Sequence, residues 1–284
     1  LSRGGREGNQ AFVRDLDTHY TQPQPQIRAA LHWAAEKGVS LATIMACCEF
    51  FGGSGRCGVE PAHLLSTALR FGQLSLARDL VERLLPSDLW GLNNLHKLAL
   101  QDAITEEELV EAGRRKASIL KRAHENNAIS PLHCAAIASD TRLLEAMLEP
   151  LGAGAEDATK DESQRTLLHY AAVSQAVASV ELLLGRGFSP HRTDQDGVTP
   201  LLCACMANRP ACVERLLKAG ADPWARGPEE QTAFHCAVNR SSVEALAALL
   251  AHQGPPAKKG QPSRTWEHAL TSSKQNPLHA ACAQ

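Results

Sequence analysis

The chain has 284 residues, 44% of them apolar, with 29 Lys and Arg against 31 Asp and Glu and a formal net charge of -2. That is ordinary globular material, and the near-neutral balance leaves no basic footprint for a nucleic-acid partner. No run of 18 or more apolar residues occurs, so no membrane-spanning helix is expected, and no signal peptide is visible.

Residues 1–27 are rich in Gly, Gln and Pro around a short apolar segment, Ala11-Phe12-Val13. Gln22-Pro23-Gln24-Pro25-Gln26 reads as linker, so 1–27 is expected as a flexible lead-in. Residues 28–86 read as two degenerate helix pairs. The first carries Ala30-Leu31-His32-Trp33-Ala34-Ala35-Glu36-Lys37-Gly38, and helix returns from about Pro61 to Leu85, broken around Gly72. Gly52-Gly53-Ser54-Gly55 reads as a loop and Pro86-Ser87-Asp88 as a turn. Farther on, Thr105-Glu106-Glu107-Glu108 is a capping box, with Thr at the N-cap and Glu at the third helical position. Glu107 and Glu111 precede Arg114 and Arg115 at helical pairing distance. Arg114-Arg115-Lys116 and Lys121-Arg122 make a basic patch, read either as a solvated helix face or as a site for an acidic partner.

From Ser130 onward one phrase recurs. It reads Ser130-Pro131-Leu132-His133-Cys134-Ala135-Ala136, then Thr166-Leu167-Leu168-His169-Tyr170-Ala171-Ala172, then Thr199-Pro200-Leu201-Leu202-Cys203-Ala204-Cys205. It returns as Thr232-Ala233-Phe234-His235-Cys236-Ala237-Val238 and as Asn276-Pro277-Leu278-His279-Ala280-Ala281-Cys282. Marked by the His position, copies fall at His133, His169, Leu202, His235 and His279, spaced by 36, 33, 33 and 44. Weaker copies put His32, Ser66 and His96 there, spaced by 34 and 30, with 37 from His96 to His133. Self-similarity at this period is the mark of stacked units. Thr or Ser ahead of a helix caps its unpaired N–H groups. Pro131 and Pro200 fall where a first helical residue needs no hydrogen bond. The Ala pair keeps the inner helix slim. Leu182, Leu183, Leu216, Leu217, Leu249 and Leu250 supply an apolar seam for the outer one. Gly187, Gly220 and Gly254 follow the outer helices, where a left-handed cap favours Gly.

The phrase resembles the T-P-L-H-x-A signature of ankyrin repeats, whose unit is a β-turn plus two helices. Val180-Glu181-Leu182-Leu183-Leu184 with Gly187, the run Cys212 to Pro223, and Val243 to Leu250 are similar to that family's closing segment. The resemblance covers roughly 28–284, close over 129–252 and loose before it. It implies an all-α ankyrin-repeat solenoid of stacked helix-turn-helix units with short β-turn or hairpin loops. About seven to eight repeats are expected, the first ones degenerate, in one elongated stack. The domain reading is a lead-in at 1–27, degenerate repeats with a helical insertion at 28–128, and consensus-like repeats at 129–284 with a loop insertion at 254–268. The loop reads as a surface excursion or as a partner-contacting element. The chain opens at Leu1 without Met and its last copy stops at Gln284 inside a first helix, so a longer parent chain is expected.

Nine Cys form no even framework, and Cys134, Cys203 and Cys236 share the position after the His, which reads as core. This is reduced, intracellular usage, and a cytoplasmic or nuclear location is expected. No C-x-x-C, zinc-finger spacing or H-E-x-x-H occurs. The run Gly52 to Gly58 lacks a P-loop ending, and Arg56 stands where a nucleophile elbow needs Gly. Six of the twelve His occupy the repeat position, where an imidazole bridges backbone groups of adjacent turns. No catalytic residue, metal or cofactor is expected.

The resemblance implies a concave surface made of turn tips and the exposed face of the inner helices, binding a protein or peptide. Carried over by register, the turn positions are Asn127, Ile129, Glu162, Ser163, Arg165, Gln195, Asp196, Val198, Glu229 and Gln231. The inner-helix positions are Ile137, Val173, Ser174, Met206, Ala207, Asn239 and Arg240. Gly227-Pro228-Glu229-Glu230 departs from the usual Asp-x-x-Gly tip, which puts the shape of that turn in doubt. The expected function is a non-catalytic interaction module. The alternative is the regulatory or targeting arm of a larger enzyme or an ankyrin-bearing channel, because the run Asn126 to Ile137 is also similar to ankyrin segments of some poly-ADP-ribose polymerases.

Overall fold

The structure is a computed structural model describing residues 24–50, 61–84, 94–101, 104–114, 129–138, 140–152 and 155–252. Among these residues it has fifteen α-helices and no strand, and fourteen of the helices form seven pairs. The first pairs are α1 (Gln24–Glu36) with α2 (Leu41–Phe50), α3 (Pro61–Arg70) with α4 (Leu74–Leu84), and α5 (Asn94–Leu98) with α6 (Glu106–Arg114). Next come α7 (Pro131–Ile137) with α8 (Thr141–Leu148), and a single extra turn, α9 (Ala155–Ala158). The series closes with α10 (Leu167–Val173) and α11 (Val177–Gly185), α12 (Pro200–Met206) and α13 (Pro210–Lys218), and α14 (Ala233–Asn239) and α15 (Val243–Ala251).

The recurring phrase builds each inner helix through a capping box in which His replaces the usual Glu. Thr166 N–H donates to Nδ1 of His169 at 3.1 Å, and the Thr166 hydroxyl lies 3.0 Å from the same nitrogen. Ser130 with His133 and Thr232 with His235 repeat the arrangement, with N–H to Nδ1 distances of 3.0 Å and 3.2 Å. A ring whose Nδ1 accepts a backbone N–H carries its proton on Nε2. In His169 that Nε2–H points to the Val198 carbonyl at 3.0 Å, one repeat away. The imidazole therefore closes one helix start and ties it to the next unit. Where Leu202 stands in the His position, Thr199 alone caps, its Oγ1 accepting from Leu202 N at 3.3 Å. Gly187 and Gly220 end their helices at φ 87 and 89, as the left-handed cap requires. Gly254 lies outside the described residues.

Inner helices α7, α10, α12 and α14 pack in sequence, as do outer helices α8, α11, α13 and α15. Ala135, Ala136, Ala171, Ala172, Ala204 and Ala237 are buried in the inner row, where a larger side chain would push the repeats apart. Val180, Leu183, Val213, Leu216 and Leu249 fill the seam behind them, each buried Leu contributing about 2 kcal/mol. Ser179 Oγ donates to the Ala138 carbonyl at 3.2 Å, and Cys212 Sγ reaches the Ser174 carbonyl at 3.6 Å, each from an outer helix to the preceding unit.

The N-terminal pairs depart from the expected single elongated stack. Helix α1 starts at Gln24, inside the stretch expected as lead-in, because Pro25 is tolerated in a first helical turn. Helices α3 and α4 bury Leu64, Leu65, Ala68, Leu69, Leu76, Ala77, Leu80 and Val81, and they meet at Gly72 with φ 67. Helix α1 stacks on α3, and Gln73 Nε2 donates to the Glu36 carbonyl at 2.8 Å. Helix α3, however, lies against α7 and α10, the inner helices of the fourth and fifth pairs. The loop 254–268, residues 115–122 of the basic patch, the Gly-rich run 52–58 and the last copy of the phrase lie outside the described residues.

Candidate functional site

The described repeats of α10, α12 and α14 each project a finger ahead of the inner helix, built by one short grammar. Asp161 N–H donates to the Arg165 carbonyl at 3.1 Å, Asp194 N–H to that of Val198 at 3.0 Å, and Gly227 N–H to that of Gln231 at 2.8 Å. Inside each loop the fourth residue donates back to the first: Gln164 to Asp161, Gly197 to Asp194 and Glu230 to Gly227. That fourth residue is left-handed every time, with φ 62 at Gln164, 81 at Gly197 and 61 at Glu230. Only Gly197 adopts this without steric cost. At the unusual Gly227-Pro228-Glu229-Glu230 tip, Glu229 is left-handed as well, at φ 55. Adjacent fingers join where Gln195 N–H donates to the Ser163 carbonyl at 2.9 Å.

The finger bases are held by buried carboxylates. Asp194 Oδ1 accepts from Val198 N at 2.8 Å and Asp196 N at 3.0 Å, while its Oδ2 takes Nε of Arg165 at 2.9 Å. Asp161 Oδ1 accepts from Arg165 N at 2.8 Å, and its Oδ2 accepts the Tyr170 hydroxyl at 2.7 Å. Burial first, and then the Asp161 charge, hold the Tyr170 hydroxyl well above its ordinary pKa. Burial pushes His169 down to about 4, against the opposing pull of the Val198 carbonyl and Asp194. Burial also pushes Cys134 and Cys236 up to about 12, and Cys203 and Cys212 up to about 11. Those thiols are protonated core groups, poor nucleophiles and poor ligands. No cluster of three or more His, Cys, Asp or Glu able to hold a metal occurs among the described residues.

The residues placed on the recognition face by register divide into three groups. Glu162, Gln195, Asp196, Glu229, Asn239 and Arg240 are exposed. Ser163, Arg165, Met206, Ala207 and Gln231 are half-buried. Ile129, Ser174 and Val198, with Ile137 and Val173, are buried, and the expectation of exposure is corrected for all five. The reason is positional. The carbonyl of the fourth residue before the His position accepts from the preceding unit, as that of Val198 does from His169 and that of Ile129 from Nε2 of His96 at 3.4 Å. Ser174 is turned inward to end α10, its Oγ donating to the Ala171 carbonyl at 2.8 Å and accepting from Ala176 N at 3.1 Å. Arg165 is a structural cation with a side chain only 16% exposed, so its reversal would test stability rather than binding. Asn127 lies outside the described residues. Register also passed over Asp161 and Asp194, although both stand eight places before the His position, a spacing that could have flagged them. Elsewhere, an open hollow of about 430 Å³ between α5 and α6 is lined by Leu95, Lys97, Glu107, Glu108 and Glu111 among others.

A family model described as ankyrin repeats matches three times, over residues 108–194, 132–227 and 177–259, together more than half of the 284 residues. The chain belongs to the ankyrin-repeat family. The seven helix pairs among the described residues, with their shared core, fit an all-α ankyrin solenoid, and the first pairs lie outside the matched segments. Among curated proteins it is 30% identical over 192 residues to the poly [ADP-ribose] polymerase tankyrase of Caenorhabditis elegans, a match covering 66% of this chain and 8% of that protein. The chain thus spans less than a tenth of that relative's length. Among solved structures it is similar to the ankyrin repeat domain of Bcl-3, a member of the IkappaB protein family. That likeness has a TM-score of 0.47 and 20% identity, and covers 88% of this chain and 92% of that one. Ankyrin repeats are generally protein-interaction modules, and no described helix is long and apolar enough to cross a membrane.

Proposed function

We propose that the chain is a protein-interaction module without catalysis of its own, which receives an extended peptide or a folded protein segment along its fingers. One observation carries this reading: Glu162, Asp196 and Glu229 stand exposed on three successive finger tips. The fingers of Glu162 and Asp196 are hydrogen-bonded to each other and anchored by buried Asp161 and Asp194, and the loop bond from Gly227 to Gln231 shapes the third, so these charges are held in place before any partner arrives, which lowers the entropic cost of docking. A row of carboxylates selects a basic or amide-rich segment, and attraction between exposed charges weakens as salt rises. An intracellular setting, cytoplasmic or nuclear, goes with this reading. It is supported by Cys134, Cys203, Cys205, Cys212 and Cys236, buried thiols outside any disulfide.

The test is selection from a displayed random-peptide library on the whole chain. Lys- and Arg-rich peptides are expected, with binding lost in the triple variant Glu162→Lys, Asp196→Lys, Glu229→Lys. Peptides that bind the triple variant as tightly as the wild type overturn the finger assignment.

The identity to a tankyrase supports a second reading, in which this stack is the regulatory or targeting arm of a larger ADP-ribosyltransferase-like enzyme or an ankyrin-bearing channel. A transcript that encodes a transferase or channel domain in frame with these repeats supports it, and one that encodes repeats alone rejects it.

A further inference from the structure

We propose that the first two helix pairs, α1 to α4, form a clamp that closes over the fingers and inner-helix ends of the later repeats, and competes in cis with a partner for that surface. Four contacts place the clamp. Arg70, the last residue of α3, donates through Nη2 to the Ser163 hydroxyl on the finger of the fifth pair. The same guanidinium lies 3.8 Å from Oδ2 of Asp161, a carboxylate 2% exposed and ion-paired with no other cation among the described residues. Two residues on, Gly72 brings backbone against backbone: a Cβ there would lie 2.7 Å from the Val173 carbonyl oxygen. At the far end, Arg240 Nη1 pairs with Oε1 of Glu36 at 2.9 Å, joining the first helix pair to the seventh across 204 residues.

Stacking between neighbours does not require any of these contacts. Pairs one and two already rest on each other through α1 against α3 and through Gln73, and α4 meets α5. The clamp adds contacts from the second pair to the fifth and from the first to the seventh, and these land on Ser163, beside Ser174, and on Arg240. Register places Ser163 and Arg240 on the surface that an ankyrin partner would use. The contacts are few, polar and edged by solvent: the Arg70 side chain is 26% exposed and that of Arg240 44% exposed. The solvent-edged Glu36–Arg240 pair contributes little, so the end of the clamp at the seventh pair opens readily, while Arg70 against buried Asp161 holds the other end. A segment that covers a binding surface lowers the apparent affinity of any ligand by the fraction of molecules that are open. The competition rests on the proposed interaction function; the closure itself does not.

The experiment uses the whole chain without ligand and reads deuterium uptake in peptides covering 161–175, together with the radius of gyration by small-angle scattering. The double variant Arg70→Glu, Arg240→Glu is expected to raise uptake there by about tenfold or more, the weight of one exposed pair and of one that reaches a buried carboxylate, and to enlarge the radius while helix content holds. Because Arg70→Glu sets a second carboxylate beside buried Asp161, an independent pair of variants guards against misfolding. Glu36→Arg alone is expected to open the clamp, and the charge swap Glu36→Arg, Arg240→Glu to close it again. Wild-type uptake and radius in the folded double variant, or a swap no more closed than Glu36→Arg alone, overturn the clamp. Competition is read separately, with the Lys- and Arg-rich peptides selected on the fingers. Tighter binding to the opened variant than to the wild type supports it, and equal binding overturns competition while leaving closure standing.

Discussion

At α10, Thr166 and His169 close a capping box and the same ring reaches the Val198 carbonyl of the next repeat at 3.0 Å. At α1, His32 has the corresponding position but puts Nδ1 on the Thr67 hydroxyl at 2.8 Å, a side chain in the neighbouring pair rather than its own helix cap. The later repeats therefore share one cap, at α7, α10 and α14, with the fingers at 161–165 and 194–198 bonded to each other and outer helices bonded back to the preceding units. The first two pairs keep the buried seam, with Leu65, Leu69, Leu76 and Leu80, and use Arg70 and Glu36 to reach repeats far along the chain. A shared core is enough to make a helix pair. The aligned stack also needs the capping and bridging residues, and where these are missing the chain finds another surface to rest on.

The largest expected effect compares the two seams. Leu183→Ala in α11 should cost about 3 kcal/mol in a denaturant melt, since it leaves a void between units that cannot collapse. Leu80→Ala in α4 should cost a similar amount within its own pair yet leave amide protection in α12–α15 unchanged. If Leu80→Ala loosens α15 as much as α4, the two regions form one cooperative block and the comparison fails. Next comes the joint itself. His169→Leu should cost about 2 kcal/mol because it strands the Thr166 N–H and removes the bond to the Val198 carbonyl, which keeps only Asp194 N–H, whereas His32→Leu, which breaks the bond to the Thr67 hydroxyl and no helix cap, should cost about 1 kcal/mol or less. Equal losses would erase the distinction between the regions.

Acid should act chiefly on the later repeats. His169 falls from 6.5 to about 4 on folding. Between those values the unfolded chain binds the extra proton, so stability is full above about pH 6.5 and is lost as pH falls toward 4. The loss from this residue is on the order of 3 kcal/mol, and a pH series of thermal melts should show it flattened in His169→Leu. The smallest effect separates one finger from the next. Gln164→Gly relieves a left-handed Gln and should stabilise by about 1 kcal/mol, while Gly197→Ala should destabilise by a similar amount. Opposite signs in the two melts confirm that the fourth finger position is a shared backbone requirement.

Much of this was legible in the sequence because the determinants are local and periodic. The capping Thr, the His three places on, the Ala pair and Gly187 with Gly220 each sit in one repeat and perform one local task. The left-handed fourth position of the finger was only half legible, since Gly197 marks it openly while Gln164 and Glu230 do not. Burial of Ile129, Ser174 and Val198 was missed for another reason. Register fixes where a residue falls in the unit but not that the carbonyls of Ile129 and Val198 are taken by the unit before or that the Ser174 hydroxyl turns in to end its helix. The clamp left no periodic trace, because Arg70 with Asp161 and Glu36 with Arg240 are single long-range pairs that only the folded chain brings together.

The most direct test of the account is native-state hydrogen exchange of His169→Leu against wild type, resolved by helix. Coupling between neighbours through the His joint predicts increased exchange in α10, in α12 and in the finger at 194–198, fading to none at α15. Exchange raised equally in every helix, or raised in α10 alone, contradicts it.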